Sequence, residues 1–166
     1  AKLQLQPGQI LWDIGAGSGS VGLEASLLLA GGQIFAIEQH PGRIEQIKTN
    51  QKKFRVANLQ VVPGHAPECL LDLPSPQRVF IGGGGRNLPE IMAEVRTRLA
   101  PKGRLVITAA LLETLATAIG QLTAWGWPTE VCQVQLSRSR PLRGSLYLQA
   151  LNPVWIISAT AREEPV

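Results

Sequence analysis

Five short apolar runs, four of them followed directly by a helix-period pattern, constrain this chain more than any other feature. The first, Gln9–Gly15 (QILWDIG), ends in glycine, and Ser20–Ala30 (SVGLEASLLLA) then spaces its apolar residues along one face of a helix. Gly31–Glu38 (GGQIFAIE) reads as a turn and a strand. His40–Phe54 places proline at a helix start and Ile44, Ile47 and Phe54 on or near one face. LQVVPG and RVFIGG add two strands, Leu88–Ala100 an amphipathic helix, PKGRLVITA a turn and a fifth strand, and Leu111–Trp125 a further helix. This alternation closes as an open, mostly parallel sheet with helices on both faces, because each parallel neighbour needs a crossover. Beyond Trp127 and Pro128 the rhythm changes. TEVCQVQLSRS, GSLYLQAL and VWIISAT read as successive strands with no helix between them, so the last strand is expected to enter the sheet antiparallel.

With 166 residues the chain suits one domain, 1–166, with a sizeable core. Its only methionine is Met92, so it reads as a trimmed chain or a piece of a longer one. The apolar segments are interrupted before the 18 or so residues a membrane span needs, and no charged-then-apolar leader opens the chain. A cytoplasmic protein without a membrane partner is expected. Cys69 and Cys132 lack metal-ligand spacing and read as unpaired thiols in a reducing compartment, so no metal is expected. Net charge is +4, and eleven of the sixteen basic residues are Arg, which favours an anionic partner, either nucleic acid or a small polyanion.

The first turn between strand and helix reads Asp13-Ile14-Gly15-Ala16-Gly17-Ser18-Gly19. Such glycines let a ligand approach the backbone, and the following helix offers free N–H groups. Glu38 ends the second strand, where an acid can accept both hydroxyls of a ribose. The third glycine comes one residue early for a dinucleotide fingerprint. The pattern instead resembles D-x-G-x-G-x-G of the Rossmann-like S-adenosylmethionine-dependent methyltransferases, which implies a seven-stranded sheet with an antiparallel last strand. The resemblance assigns Asp13, Gly15, Ala16, Gly17, Ser18, Gly19 and Gly82 to the neighbourhood of the S-adenosylmethionine cofactor. It gives Glu38 to the ribose and His65 and Ala66 to the adenine; many relatives carry an acid where His65 stands.

After the fourth strand, amino-methylating enzymes of this fold often carry an N/D-P-P-aromatic motif. This chain has Gly82, Gly83, Gly84 and Gly85 there, and Asn152–Trp155 (NPVW) reads as a turn before the final strand. The Arg residues are not interleaved with aromatics as on a single-strand-binding surface, so no nucleic-acid partner is expected.

LWDIGAGSGSVGLEASLL, IFAIEQHPGRI, VFIGGGG, GRLVITAALLETL and SRSRPLRGSLYLQALNPVWIISA together resemble the decarboxylating precorrin methyltransferases of cobalamin biosynthesis, from about Leu3 to Ala159. The resemblance implies methylation of carbon 15 of a precorrin-6B-type tetrapyrrole, with loss of carbon dioxide from the acetate on carbon 12. It also implies a homotetramer, or fusion to or pairing with a carbon-5 methyltransferase domain. Two departures stand out: the family's I-T-K-x-E-V-R segment is absent before the first strand, and Thr108 stands where Asn is frequent. The ring carbon is itself the nucleophile, so no covalent catalytic residue is expected. Gly83 and Gly84 clear a face for the flat ring, and Thr108 supplies a polar group. Arg86, Arg138, Arg140 and Arg143, expected in loops, meet its carboxylates. Leu142 and the Ala109–Leu112 turn offer an apolar wall for the departing carboxylate. A nucleic-acid or protein methyltransferase, and a non-catalytic S-adenosylmethionine-binding module, are the alternatives.

Overall fold

Alternate residues of the first apolar run face opposite layers, and that period of two organises the rest. Strand β1 (Ile10–Ile14) buries Trp12 and Ile14 on one side and Leu11 and Asp13 on the other. The structure, a computed structural model, describes residues 2–83 and 85–162. In chain order the remaining elements are α1 (Ser20–Ser26), β2 (Gln33–Glu38), α2 (Pro41–Phe54), β3 (Leu59–Pro63), β4 (Arg78–Ile81), α3 (Leu88–Arg98), β5 (Arg104–Ala109), α4 (Leu112–Ala124), β6 (Thr129–Val134), β7 (Ser137–Leu142), β8 (Ser145–Ala150) and β9 (Val154–Thr160).

Seven strands form one sheet in the order β3-β2-β1-β4-β5-β9-β6. The first five are parallel, and β9 runs antiparallel to both β5 and β6, as the sequence leads one to expect. Helices α3 and α4 cover one face through Ile91, Met92, Val95, Ala118 and Leu122, which pack with Trp12, Val79, Leu105 and Ile157. Leu11, Ile34, Ala36 and Leu59 meet Ala25 and Ile47 of α1 and α2 on the other. Trp12 is fully buried and donates its indole N–H to the Pro74 carbonyl at 3.1 Å. The direction of strand order reverses between β1 and β4, and ligands of open α/β sheets bind in the crevice beyond that point.

Two expectations about boundaries are corrected. Helix α1 stops at Ser26 rather than Ala30, because the chain must turn back into β2: Gly32 donates to the Leu29 carbonyl, and a Cβ on Gly32 would lie 2.2 Å from the Gln9 carbonyl oxygen. TEVCQVQLSRS is two strands, β6 in the sheet and β7 outside it. The segment Ser137–Leu142 alternates Arg with Ser and contains Pro, which suits an exposed ribbon better than a covered strand. It pairs with β8 through a two-residue turn, Arg143-Gly144, whose φ angles of 44° and 82° give the hairpin its twist.

Candidate active site

The turns after β1 and β4 meet at the reversal point, backbone against backbone. A Cβ on Gly15 would lie 2.9 Å from the Gly83 carbonyl oxygen, and one on Gly82 would lie 3.0 Å from that of Gly15. Gly82 also donates its N–H to the Ile14 carbonyl at 2.8 Å. Around Gly83 a Cβ would meet nothing within 4 Å, so this residue faces open space. Two glycines that look alike in sequence therefore differ: Gly82 permits close packing, and Gly83 leaves a surface bare.

Glu38 ends β2 on the wall of the same cleft, 3% exposed. One of its carboxylate oxygens accepts the Gly17 N–H at 2.9 Å, and the other accepts Gln39 at 3.0 Å and His40 at 2.9 Å. The β1 turn is tied to β2 again where the Gly15 and Ala16 N–H groups both donate to the Ile37 carbonyl at 3.0 Å. Gly15, Gly17 and Gly19 all have positive φ, 73°, 59° and 80°, so the turn needs residues without a Cβ whether or not a ligand is present.

Asp13 lies directly behind this turn and is fully buried. Its Oδ2 accepts the Gly22 N–H at 2.9 Å, which ties β1 to α1, while Oδ1 has no partner among the described residues. Burial pushes its carboxyl up to about 7; the Gly22 hydrogen bond opposes this and the Glu38 charge adds to it.

Of the residues expected at a cofactor, Gly15, Glu38, Ala66 and Gly82 line the cleft, together with Gly83. Asp13, Ala16 and Gly17 hold its wall from behind. Gly19 serves packing: a Cβ there would come within 3.1 Å of Ile47. The Ser18 carbonyl accepts from Asn50 and fixes α2 to the turn. His65 is exposed and lines an adjoining recess with Gly64, Glu68 and Cys69, on the outer lip of the cleft.

The substrate-side expectations are scattered. Arg86 is exposed in a short 3-10 turn, Gly85–Asn87, that leads into α3. Thr108 faces the opposite side of the sheet, in a groove with Phe80, Val106 and Ile156, and its hydroxyl donates to the Ile81 carbonyl at 3.4 Å. Gly84 lies outside the described residues. Arg138 and Arg140 stand on strand β7 rather than in a loop, and only Arg143 sits in a turn. All three are exposed, and Arg140 donates to the Gln149 side chain at 3.1 Å.

The sequence reading passed over Ile37, His40, Arg43, Asn87 and Ile91, which also line the cleft. Asn87 was findable: it sits at the N-cap of α3, just before Leu88 and Pro89, yet its side chain makes no capping bond and remains available to the cleft. Chemically the cleft combines an anchored carboxylate, a strip of bare backbone and an apolar flank of Ile37, Ala66 and Ile91. That set accepts a diol on Glu38 and a flat heterocycle beside the aliphatic residues.

Residues 1–161 match the family model for the precorrin methyltransferase domain. The chain resembles the solved precorrin-6y C5,15-methyltransferase of Geobacter metallireducens, with a TM-score of 0.90 and 44% identity over 96% of this chain and 84% of that one. The C-terminal domain of precorrin-6Y C5,15-methyltransferase from Rhodobacter capsulatus gives 0.84 and 34%, over 96% and 84%. The cobalt-precorrin-6B C(15)-methyltransferase (decarboxylating) of Salmonella typhimurium is 35% identical over 167 residues, covering all of this chain and 86% of that protein.

Proposed function

The chain belongs to the precorrin methyltransferase family, and from that membership we propose that it methylates carbon 15 of a precorrin-6B-type tetrapyrrole and releases the carbon 12 acetate carboxyl as carbon dioxide. The observation that carries the reading is the pairing of Glu38, held by three backbone N–H groups, with the bare backbone of Gly15 and Gly83 across one cleft.

Those residues fit S-adenosylmethionine. Glu38 offers free lone pairs to a ribose, Ile37 and Ala66 flank the adenine, with His65 at its outer edge, and the Gly15–Gly17 backbone approaches the amino-acid end. When bound, this cofactor supplies an electrophilic methyl group. The rest of the reaction needs placement more than a protein nucleophile, since the conjugated ring carbon is electron-rich.

Gly83 keeps the floor clear for that flat ring. Ala110, Leu111 and Leu112 are exposed where β5 ends, an apolar margin on the same edge of the sheet. A carboxylate held against such a margin loses solvation, and loss of carbon dioxide relieves that cost. The electron pair of the broken bond stays on the former acetate carbon, which takes a proton and remains as a methyl group. Arg86, Arg138, Arg140 and Arg143 serve the other carboxylates of the ring, whereas Thr108, on the far side of the sheet, takes no part in the reading.

The reading extends to a single methyltransferase domain over 1–166, a homotetramer, and a chain fused to or working beside a carbon-5 methyltransferase domain. Free Cys69 and Cys132 suit a cytoplasmic setting. Incubation with the cofactor and a precorrin-6B-type tetrapyrrole should give a product that has gained one methyl group and lost one carbon dioxide by mass spectrometry. Cofactor binding with no change in the mass of the tetrapyrrole would sink the reading.

A further inference from the structure

The polar side chains that line the cleft come from two sides. Glu38, Gln39, His40 and Arg43 all belong to the end of β2 and the start of α2, on the wall already given to a ribose. Asn87 is the one polar side chain among the described lining residues that comes from the α3 side instead. It stands one helical turn before Ile91, which lines the same cleft. The apolar flank that Ile91 forms with Ile37 and Ala66 therefore ends in a planar amide.

Helix capping does not account for this residue. An Asn just before a helix usually has extended backbone and accepts the N–H of the second or third helical residue. Here the second is Pro89, which has no N–H, and the φ and ψ of Asn87, −91° and 8°, lie in the bridge region. Its side chain makes no capping bond, and no other hydrogen bond among the described residues, so Oδ1 and Nδ2 are both left to the cleft. His65, expected at the same heterocycle, is placed differently. It is exposed in the adjoining recess with Glu68 and Cys69, where water competes for any hydrogen bond it makes and the net gain is small.

We propose that Asn87, not His65, selects the base of the cofactor: Oδ1 accepts from the 6-amino group of adenine, and Nδ2 donates to a neighbouring ring nitrogen. The inference rests on the reading of this cleft as an S-adenosylmethionine site. The chemistry of the base favours an amide. Its amino group donates and the ring nitrogens beside it accept, and a carboxamide offers one acceptor and one donor in a single plane. Glu38 is committed to three backbone N–H groups and the ribose, and Arg43 can only donate, so neither serves the amino group. An amino group that enters the cleft gives up its hydrogen bonds to water, and the acceptor on Asn87 replaces one of them.

Calorimetric titration with S-adenosylmethionine, and with its analogue lacking the 6-amino group, tests this without any turnover. Wild type should bind the analogue about tenfold more weakly, the loss expected for one buried hydrogen bond. Asn87→Ala should bind the two ligands about equally, both more weakly than wild type binds the natural cofactor, with the thermal midpoint of the cofactor-free chain unchanged. Asn87→Asp retains an acceptor and should retain a preference for the amino group. His65→Ala should keep the full tenfold preference. A tenfold preference that survives in Asn87→Ala, or vanishes in His65→Ala, overturns the assignment. Equal wild-type affinity for the two ligands also overturns it while leaving the cofactor reading standing, and no wild-type affinity for either overturns both.

Discussion

The Gly83 carbonyl oxygen stands 2.9 Å from the point that a Cβ on Gly15 would occupy, so the turns that build the cleft touch through backbone alone. This divides the glycines into two kinds with opposite mutational signatures. Gly15→Ala meets that oxygen and must also hold a φ of 73°, so it should destabilise the fold by roughly 1–3 kcal/mol and lower cofactor affinity with it. Gly83→Ala meets nothing and should leave unfolding within about 0.5 kcal/mol of wild type while slowing turnover of the tetrapyrrole. Thermal unfolding and calorimetry on the two variants check this, and equal effects on stability would remove the distinction.

Glu38 has two tasks, anchoring three backbone N–H groups and facing the cleft, and a ribose-modified cofactor separates them. Wild type should lose about ten- to a hundredfold in affinity for a cofactor analogue lacking the ribose hydroxyls. Glu38→Gln, which keeps one carbonyl acceptor for the turn, should bind natural cofactor and analogue with nearly equal, reduced affinity. If the variant still discriminates as sharply as wild type, the hydroxyls are held elsewhere.

Asp13 makes stability depend on pH with a definite sign. Its folded carboxyl titrates at about 7, against 3.8 for an exposed one, so the unfolded chain releases the proton first as pH rises. Its protonated form favours the fold fully below pH 3.8, and that contribution declines until the folded group ionises near 7. The total is on the order of 4 kcal/mol. Asp13→Asn cannot ionise and should gain on wild type by that order between pH 4 and pH 8 in urea unfolding. A stability difference that stays flat across this range would mean that Asp13 is charged in the fold.

Much of the fold was legible because hydrophobic period and turn residues report local geometry directly. Gly15, Glu38 and the order of strands and helices follow from that reading, as does the antiparallel β9. What escaped depended on where the chain goes between elements. The run from Thr129 to Ser139 keeps a strand-like pattern through Gln135 and Leu136, so nothing local marks its departure from the sheet at Val134. Thr108 shows the same limit: its nearness to the end of β5 was visible, but the side of the sheet it faces is set by register, since it pairs across from Ile156. Ile91 reaches the cleft only because α3 packs against β1 and β4, a tertiary fact that no spacing in the sequence encodes, whereas Asn87 carried its own signal as the residue before Leu88 and Pro89.

The exposed leucines at the start of α4 carry the last prediction. Leu111 and Leu112 are 64% and 66% exposed at the end of β5, where burial in the core does not account for their apolar character. If they desolvate the departing carboxylate, a cation in their place should stabilise the ground state and hold that carboxylate back. Leu112→Arg should therefore lower carbon dioxide release by about tenfold, while methyl transfer to carbon 15 changes far less. Both can be followed in one reaction, by trapping labelled carbon dioxide and counting labelled methyl groups on the tetrapyrrole. The substitution is at an exposed position, so the fold should tolerate it and cofactor affinity should not change. A ratio of carbon dioxide to methyl that stays at the wild-type value would place the departing carboxylate away from this margin.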